Sequence, residues 1–158
     1  MKCWTSRWAR CAAAVIIVML EAIVRQHGFA QWRPQTIGGV RFGPPLKASL
    51  ALGMTYGNCM AGSEFAGPMA LGEVGFGGAR ASLGYLFAGP FASAIEVMGS
   101  AVRTFGSPAQ LERNQTLAGG EFRVAYFLVN AGIGVFRPVS GFTNDRRTRV
   151  FLNVGLGF

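Results

Sequence analysis

Six ionisable side chains recur on alternating positions of otherwise apolar or glycine-rich stretches: Lys47, Glu73, Arg80, Glu96, Arg123 and Arg149. Charges placed this way line a conduction path or substrate site, or they neutralise one another as an ion-pair network, because buried charges persist when paired. Catalysis by a nucleophile needs an activating base beside it. His27 is the only histidine and Asp145 the only aspartate, and Glu64, Glu73, Glu96, Glu112 and Glu121 show no paired spacing. Metal binding needs clustered Cys and His, whereas Cys3, Cys11 and Cys59 are scattered. The expectation is a lumen network in a protein that is not an enzyme, with no cofactor and no metal; Cys59 reads as a lone loop thiol.

A denser basic run, "NDRRTR", spans Asn144 to Arg149. Guanidinium forks suit phosphate, so Arg146, Arg147 and Arg149 are candidates for contact with anionic lipid, including lipopolysaccharide phosphates. The bland alternative is a solvated rim that keeps a strand from sinking into lipid. Elsewhere the basic residues are dispersed, which speaks against nucleic acid.

The elements that hold these residues follow a period of two. In "KASLALGMTY" Ala48, Leu50, Leu52, Met54 and Tyr56 share one face. In "ARASLGYLF" Leu83, Tyr85 and Phe87 do, and in "EFRVAYFL" Phe122, Val124, Tyr126 and Leu128. Such alternation belongs to strands rather than helices. Glycine and proline fall between the runs, at Gly77-Gly78, "AGP" (Ala88 to Pro90) and "RPVSG" (Arg137 to Gly141), where turns need them. The clear candidates are residues 46–56, 68–76, 79–88, 92–105, 121–128, 131–137 and 148–158. Single-chain bacterial barrels use an even number of strands, and residues 35–43 supply the eighth. Residues 92–105 fit least well, since Ile95 and Val97 oppose Met98 and Val102; a bulge near Gly99 would reconcile them.

Composition decides which solvent the apolar face meets. Hydrophobic residues make up 51% of the chain and charged residues 14%, against about 25% charged in soluble domains. Beyond residue 30 there is one lysine, Lys47, and one aspartate, Asp145, too few to dress a hydrated exterior. The expected fold is therefore all-β: an antiparallel up-and-down transmembrane β-barrel of eight strands, apolar outside and polar inside. Tyr56, Tyr85, Phe87, Tyr126 and Phe158 then mark one rim as an aromatic girdle.

Residues 1–30 read as a signal helix. Lys2, Arg7 and Arg10 precede the apolar run Ala12 to Leu20, which is about half the length of a bilayer-spanning helix. Gly28 and Ala30 set small residues before a cleavage site, although the charged spacer leaves an uncleaved anchor open. Residues 31–158 then form the barrel.

The chain's last residues alternate strictly: Val150, Leu152, Val154, Leu156 and Phe158 face one way. This pattern resembles the carboxy-terminal assembly signal of bacterial outer-membrane β-barrels, and the size is similar to the eight-stranded group that includes the OmpA transmembrane domain and OmpX-like proteins. The resemblance implies a protein of the Gram-negative outer membrane, whose partners are outer-membrane lipid and the barrel-insertion machinery that reads the last strand. Fold alone assigns no activity. The expected role is structural or surface interaction in the cell envelope with a side-chain-filled lumen; a narrow pore for small solutes and a soluble periplasmic β-sandwich or lipid carrier stay open.

Overall fold

Alternating residues need two different surroundings, and a sheet closed on itself provides an inside and an outside along every strand. The computed structural model describes residues 32–59, 64–141 and 147–157. The chain divides into Met1–Gln31 and Trp32–Phe158. The described residues belong to the second unit, and the expected signal segment lies outside them. Eight strands follow in order: β1 (Trp32–Gly43), β2 (Lys47–Cys59), β3 (Phe65–Gly75), β4 (Gly78–Gly89), β5 (Ser93–Thr104), β6 (Thr116–Tyr126), β7 (Val129–Ser140) and β8 (Arg149–Gly157). Each pairs antiparallel with its sequence neighbours, and β8 pairs with β1 to close the barrel.

One row of partners traces the stagger. From Trp32 it passes through Asn58, Ala66, Phe87, Ile95, Val124, Ala131 and Val154 and returns to β1 at Phe42, ten residues further on. Strands in a closed barrel must tilt to accommodate such a shear. The β1–β8 seam is short, running from Gly39 opposite Gly157 to Phe42 opposite Val154. Among the described residues, Trp32–Gly38 pairs with β2 alone.

Along β5 the inward residues Ala94, Glu96, Met98, Ser100, Val102 and Thr104 are buried, and Ile95, Val97, Gly99, Ala101 and Arg103 are exposed. The outer wall holds large apolar side chains throughout: Leu50, Leu83 and Leu152 are 66%, 70% and 67% exposed. Among the described residues no helix is long and apolar enough to cross a membrane.

The structure corrects several sequence expectations. The β4–β5 ladder is regular past Gly99, and Met98 and Val102 point inward because the bore holds apolar layers as well as charge. The irregularity lies instead at Thr116/Leu117 opposite β7, where Val139 is the extra residue beside Pro138. A proline cannot donate to the ladder, which suits it to a bulge. β6 begins at Thr116 rather than residue 121. The β6–β7 turn is Phe127-Leu128, with Phe127 at φ 53°, so these two side chains cap the hairpin instead of extending it. Arg137 to Ser140 continues β7, and β2 runs on through Cys59.

The barrel has a terminal end, where β1 starts and β8 finishes, and a far end. At the far end the β5–β6 connection, residues 105–115, is tied across the mouth. Ser107 N donates to Phe76 O (3.0 Å), Ala109 N to Pro45 O (3.0 Å) and Phe105 N to Gly77 O (3.1 Å). The buried Thr104 hydroxyl donates to Glu112 O (2.8 Å) and accepts from Gln115 N (2.9 Å).

Adjacent glycines on β6 differ in what surrounds them. A Cβ on inward Gly119 would lie 2.0 Å from Val135 O, whereas on outward Gly120 and Gly99 the nearest atoms are at 3.7 and 3.9 Å. Overpacking costs typically 1–3 kcal/mol. Gly119→Ala is therefore expected to destabilise the purified protein by about that amount. Gly120→Ala and Gly99→Ala should stay within about 0.5 kcal/mol of wild type. Urea unfolding followed by tryptophan fluorescence measures all three.

Candidate functional site

Polar parity places six ionised side chains at one level of the bore. Arg41 comes from β1, Glu73 from β3, Arg80 from β4, Glu96 from β5, and Glu121 and Arg123 from β6. Three guanidinium groups thus face three carboxylates, and the cluster is neutral. Glu73 Oε2 lies 3.4 Å from Arg41 Nη1, 3.6 Å from Arg80 Nη1 and 3.6 Å from Arg123 Nη2. Arg80 Nη1 donates to Glu121 Oε1 at 2.6 Å, and Arg123 Nη2 lies 3.3 Å from Glu121 Oε2. Glu96 Oε2 is 3.5 Å from Arg123 Nη1, an ion pair without a hydrogen bond between those atoms.

Neutral side chains complete the shell. Ser49 on β2 donates to Glu73 Oε1, Ser100 on β5 donates to Glu121 Oε2 (2.8 Å), and Asn153 on β8 donates to Glu121 Oε1 (3.3 Å). Ser82 and Ser100 hydroxyls bond each other at 2.7 Å. Only β7 sends no side chain into these contacts, and it contributes space instead. A Cβ on Gly132 would meet Arg123 Cγ at 2.5 Å, and one on Gly134 would meet Glu121 Cγ at 2.8 Å. On β8, Gly155 likewise leaves room for Arg41 Cγ. Long charged side chains fit in this bore because their cross-strand neighbours Gly132, Gly134 and Gly155 have none.

Apolar layers close the network above and below. Toward the far end Val102, Leu117, Phe136 and Phe151 form a buried cluster with Leu111 of the capping loop against it. The Arg80 guanidinium sits 5.7 Å from the Phe136 ring centre, within the range of a cation–π contact. Toward the terminal end Ile37, Phe65, Met69, Leu71, Leu86, Met98 and neighbouring alanines form the second cluster. What this arrangement does chemically is hold seven strands at one level through mutual neutralisation. Each carboxylate lies within ion-pair distance of a guanidinium.

Of the six residues singled out by alternation, Glu73, Arg80, Glu96 and Arg123 meet in the bore, and Lys47 and Arg149 do not. Lys47 is exposed and donates from Nζ to Ser107 Oγ (3.0 Å). Arg149 Nη1 donates to Gln110 O (2.6 Å). Both stand at strand ends beside the capping loop, where Leu46, Phe136 and Phe151 fill the interior. Sequence reading missed Arg41 and Glu121, although Arg41 between outward Val40 and Phe42, and Glu121 on the face opposite Phe122, carried the same parity signal.

Among the girdle candidates, Tyr56, Tyr85, Phe87 and Tyr126 all lie toward the terminal end. Tyr56 stacks on Trp32 (5.4 Å), Tyr85 contacts Phe87 (4.7 Å) and Tyr126 meets Phe127 edge-on (4.9 Å). Phe42, Phe76 and Phe105 are exposed at the far end. Val150, Leu152, Val154 and Leu156 project outward from β8. Arg147 is exposed beside the start of β8; Arg146 and Phe158 lie outside the described residues.

Comparison with protein-family models, with curated proteins and with solved structures returns no match.

Removing one partner from a buried ion pair costs roughly 3–5 kcal/mol, because the other charge is left uncompensated. Glu121→Gln takes the 2.6 Å partner from Arg80, leaving it only the 3.6 Å contact with Glu73, and the 3.3 Å partner from Arg123, and is expected to lose about that much in urea unfolding. Glu96→Gln removes a contact without a hydrogen bond and should cost less than half as much. Lys47→Ala should leave the unfolding midpoint near wild type. Equal losses for Glu121→Gln and Glu96→Gln would contradict this ranking.

Proposed function

We propose that this chain is a small outer-membrane β-barrel of a Gram-negative envelope, exported through residues 1–30 and serving a structural or surface-interaction role without catalysis. The observation that carries the reading is the inverted wall: large apolar side chains exposed on every strand, and ionised ones neutralised inside. Soluble monomers rarely expose contiguous apolar patches beyond a few hundred Å², whereas acyl chains are a natural solvent for such a surface. Aromatic rings toward both ends suit lipid–water interfaces. The outward row of β8, Val150 to Leu156, is the surface that the barrel-insertion machinery would read by the resemblance described above.

The layered bore favours a plugged barrel over a pore. Water or a solute would have to displace Phe136 and Phe151 at one level and an ion-pair network at the next. Non-catalytic character is supported by the engagement of Glu73, Glu96 and Glu121 with arginine and by the absence of histidine after residue 30.

Fractionation with gel electrophoresis tests the membrane reading. The protein should pellet with membranes, need detergent for extraction and migrate differently when unheated than when boiled. In planar lipid bilayers it should give no stepwise conductance. Release into the soluble periplasm without detergent would overturn the barrel-in-membrane reading, and reproducible single-channel steps would replace the plugged lumen with a pore.

A further inference from the structure

We infer that Arg103 and Arg137 form a clamp on the outer wall for the headgroup phosphate of an anionic membrane lipid. The inference rests on the membrane reading above and deepens it by naming a lipid class and a site. Both side chains stand on the outward face near the far end, on the strands flanking β6. In the register Arg103 is opposite Thr116 and Arg137 is opposite Ala118, two residues along the same face of β6. Strands lie about 4.8 Å apart and residues rise about 3.4 Å along them, so two strand spacings and the two-residue stagger put the arginine backbones about 12 Å apart across β6. Arginine side chains can converge over that gap.

Three further observations support a phosphate between them. Arg103 Nη1 donates to Thr116 Oγ1 at 2.8 Å, which anchors the fork toward β6 rather than along its own strand. Among the described residues neither arginine pairs with a carboxylate. Ala118, the residue between them on β6, carries only a methyl group, so the space over it is open. The charge environment agrees: Lys47, Arg103, Arg113, Arg137, Arg147 and Arg149 gather at the far end, against Glu112 alone among the described acids.

Depth favours lipid as the occupant. The cost of an outward charge on a membrane barrel is greatest at the bilayer midplane and falls toward the interface. Arg103 and Arg137 each stand two residues from an exposed apolar side chain at the strand ends, Phe105 and Val139, the level at which headgroup phosphates would lie. Guanidinium forks bind phosphate with two parallel hydrogen bonds. Neither arginine belongs to the Arg146, Arg147 and Arg149 run of the sequence.

The test is native mass spectrometry of the full-length protein in a non-ionic detergent, titrated with phosphatidic acid, phosphatidylcholine and inorganic phosphate. Phosphatidic acid should bind at least tenfold more tightly than phosphatidylcholine. The double variant Arg103→Gln/Arg137→Gln should lose at least tenfold for phosphatidic acid and nothing for phosphatidylcholine. Arg103→Lys/Arg137→Lys should fall between, and Arg113→Gln should match wild type. Heat-dependent gel mobility of each variant verifies that the barrel is intact, and Arg137→Gln alone, with a smaller loss, replaces the double variant if that one does not fold.

Equal affinity of the wild-type protein for both lipids, or an intact glutamine variant that still discriminates between them, overturns the clamp. Inorganic phosphate binding as tightly as phosphatidic acid overturns lipid as its source. A protein that is membrane-extracted and heat-modifiable yet blind to headgroup charge loses the clamp and keeps the barrel reading. One that needs no detergent loses both.

Discussion

An eight-stranded barrel has an interior only wide enough for side chains, and that narrowness governs what can be placed there. Water does not screen a charge at this level, so each ionised group depends on another for its solvation. Arg41, Arg80 and Arg123 meet this condition against Glu73, Glu96 and Glu121. Volume imposes a second condition, met by Gly132, Gly134 and Gly155, the cross-strand partners of Arg123, Glu121 and Arg41. The charges and the glycines are thus two halves of one arrangement: enlarge either and the other no longer fits.

The layers along the axis follow from the same constraint. Serine, asparagine and the ion pairs occupy the middle, where partners on neighbouring strands are within reach. Phenylalanine, leucine, valine and methionine take the levels on either side. Sealed between them, the network sits in surroundings of low dielectric, where attraction between opposite charges is stronger and an unpartnered group more costly. The loop over residues 105–115 extends the far seal, and its bonds to Pro45, Phe76, Gly77 and Arg149 tie it to the β1–β2 turn, the β3–β4 turn and the start of β8.

Much of the fold was legible because strand parity is a local property of sequence. Leu50, Leu83 and Leu152 face outward and Glu73, Arg80, Glu96 and Arg123 inward, as alternation implied. Parity gives the face of a residue but not its depth along the axis. Lys47 and Arg149 share inward parity with the network yet stand at strand ends, where long side chains lean out to the loop. The rule that an interior is small and polar also misled: it made Met98 and Val102 look displaced, when apolar residues are what seals the charged layer. Arg41 was obscured because its strand entered only to complete an even count. The β6–β7 turn was hidden because Phe127-Leu128 lacks the glycine or asparagine that usually marks a hairpin.

The overhang of β1 has its own consequence. Along Trp32–Gly38 the described residues pair on one side only, which leaves a row of main-chain donors and acceptors of the kind that recruits foreign strands and seeds sheet growth. The residues there blunt that hazard. Pro34 has no N–H to offer, Arg33 brings a charge, and Gln35 and Thr36 give an intruding chain little grease to bury. Between Trp32 and Ile37 this lip thus carries a proline, a charge and two polar side chains in place of an unbroken apolar row.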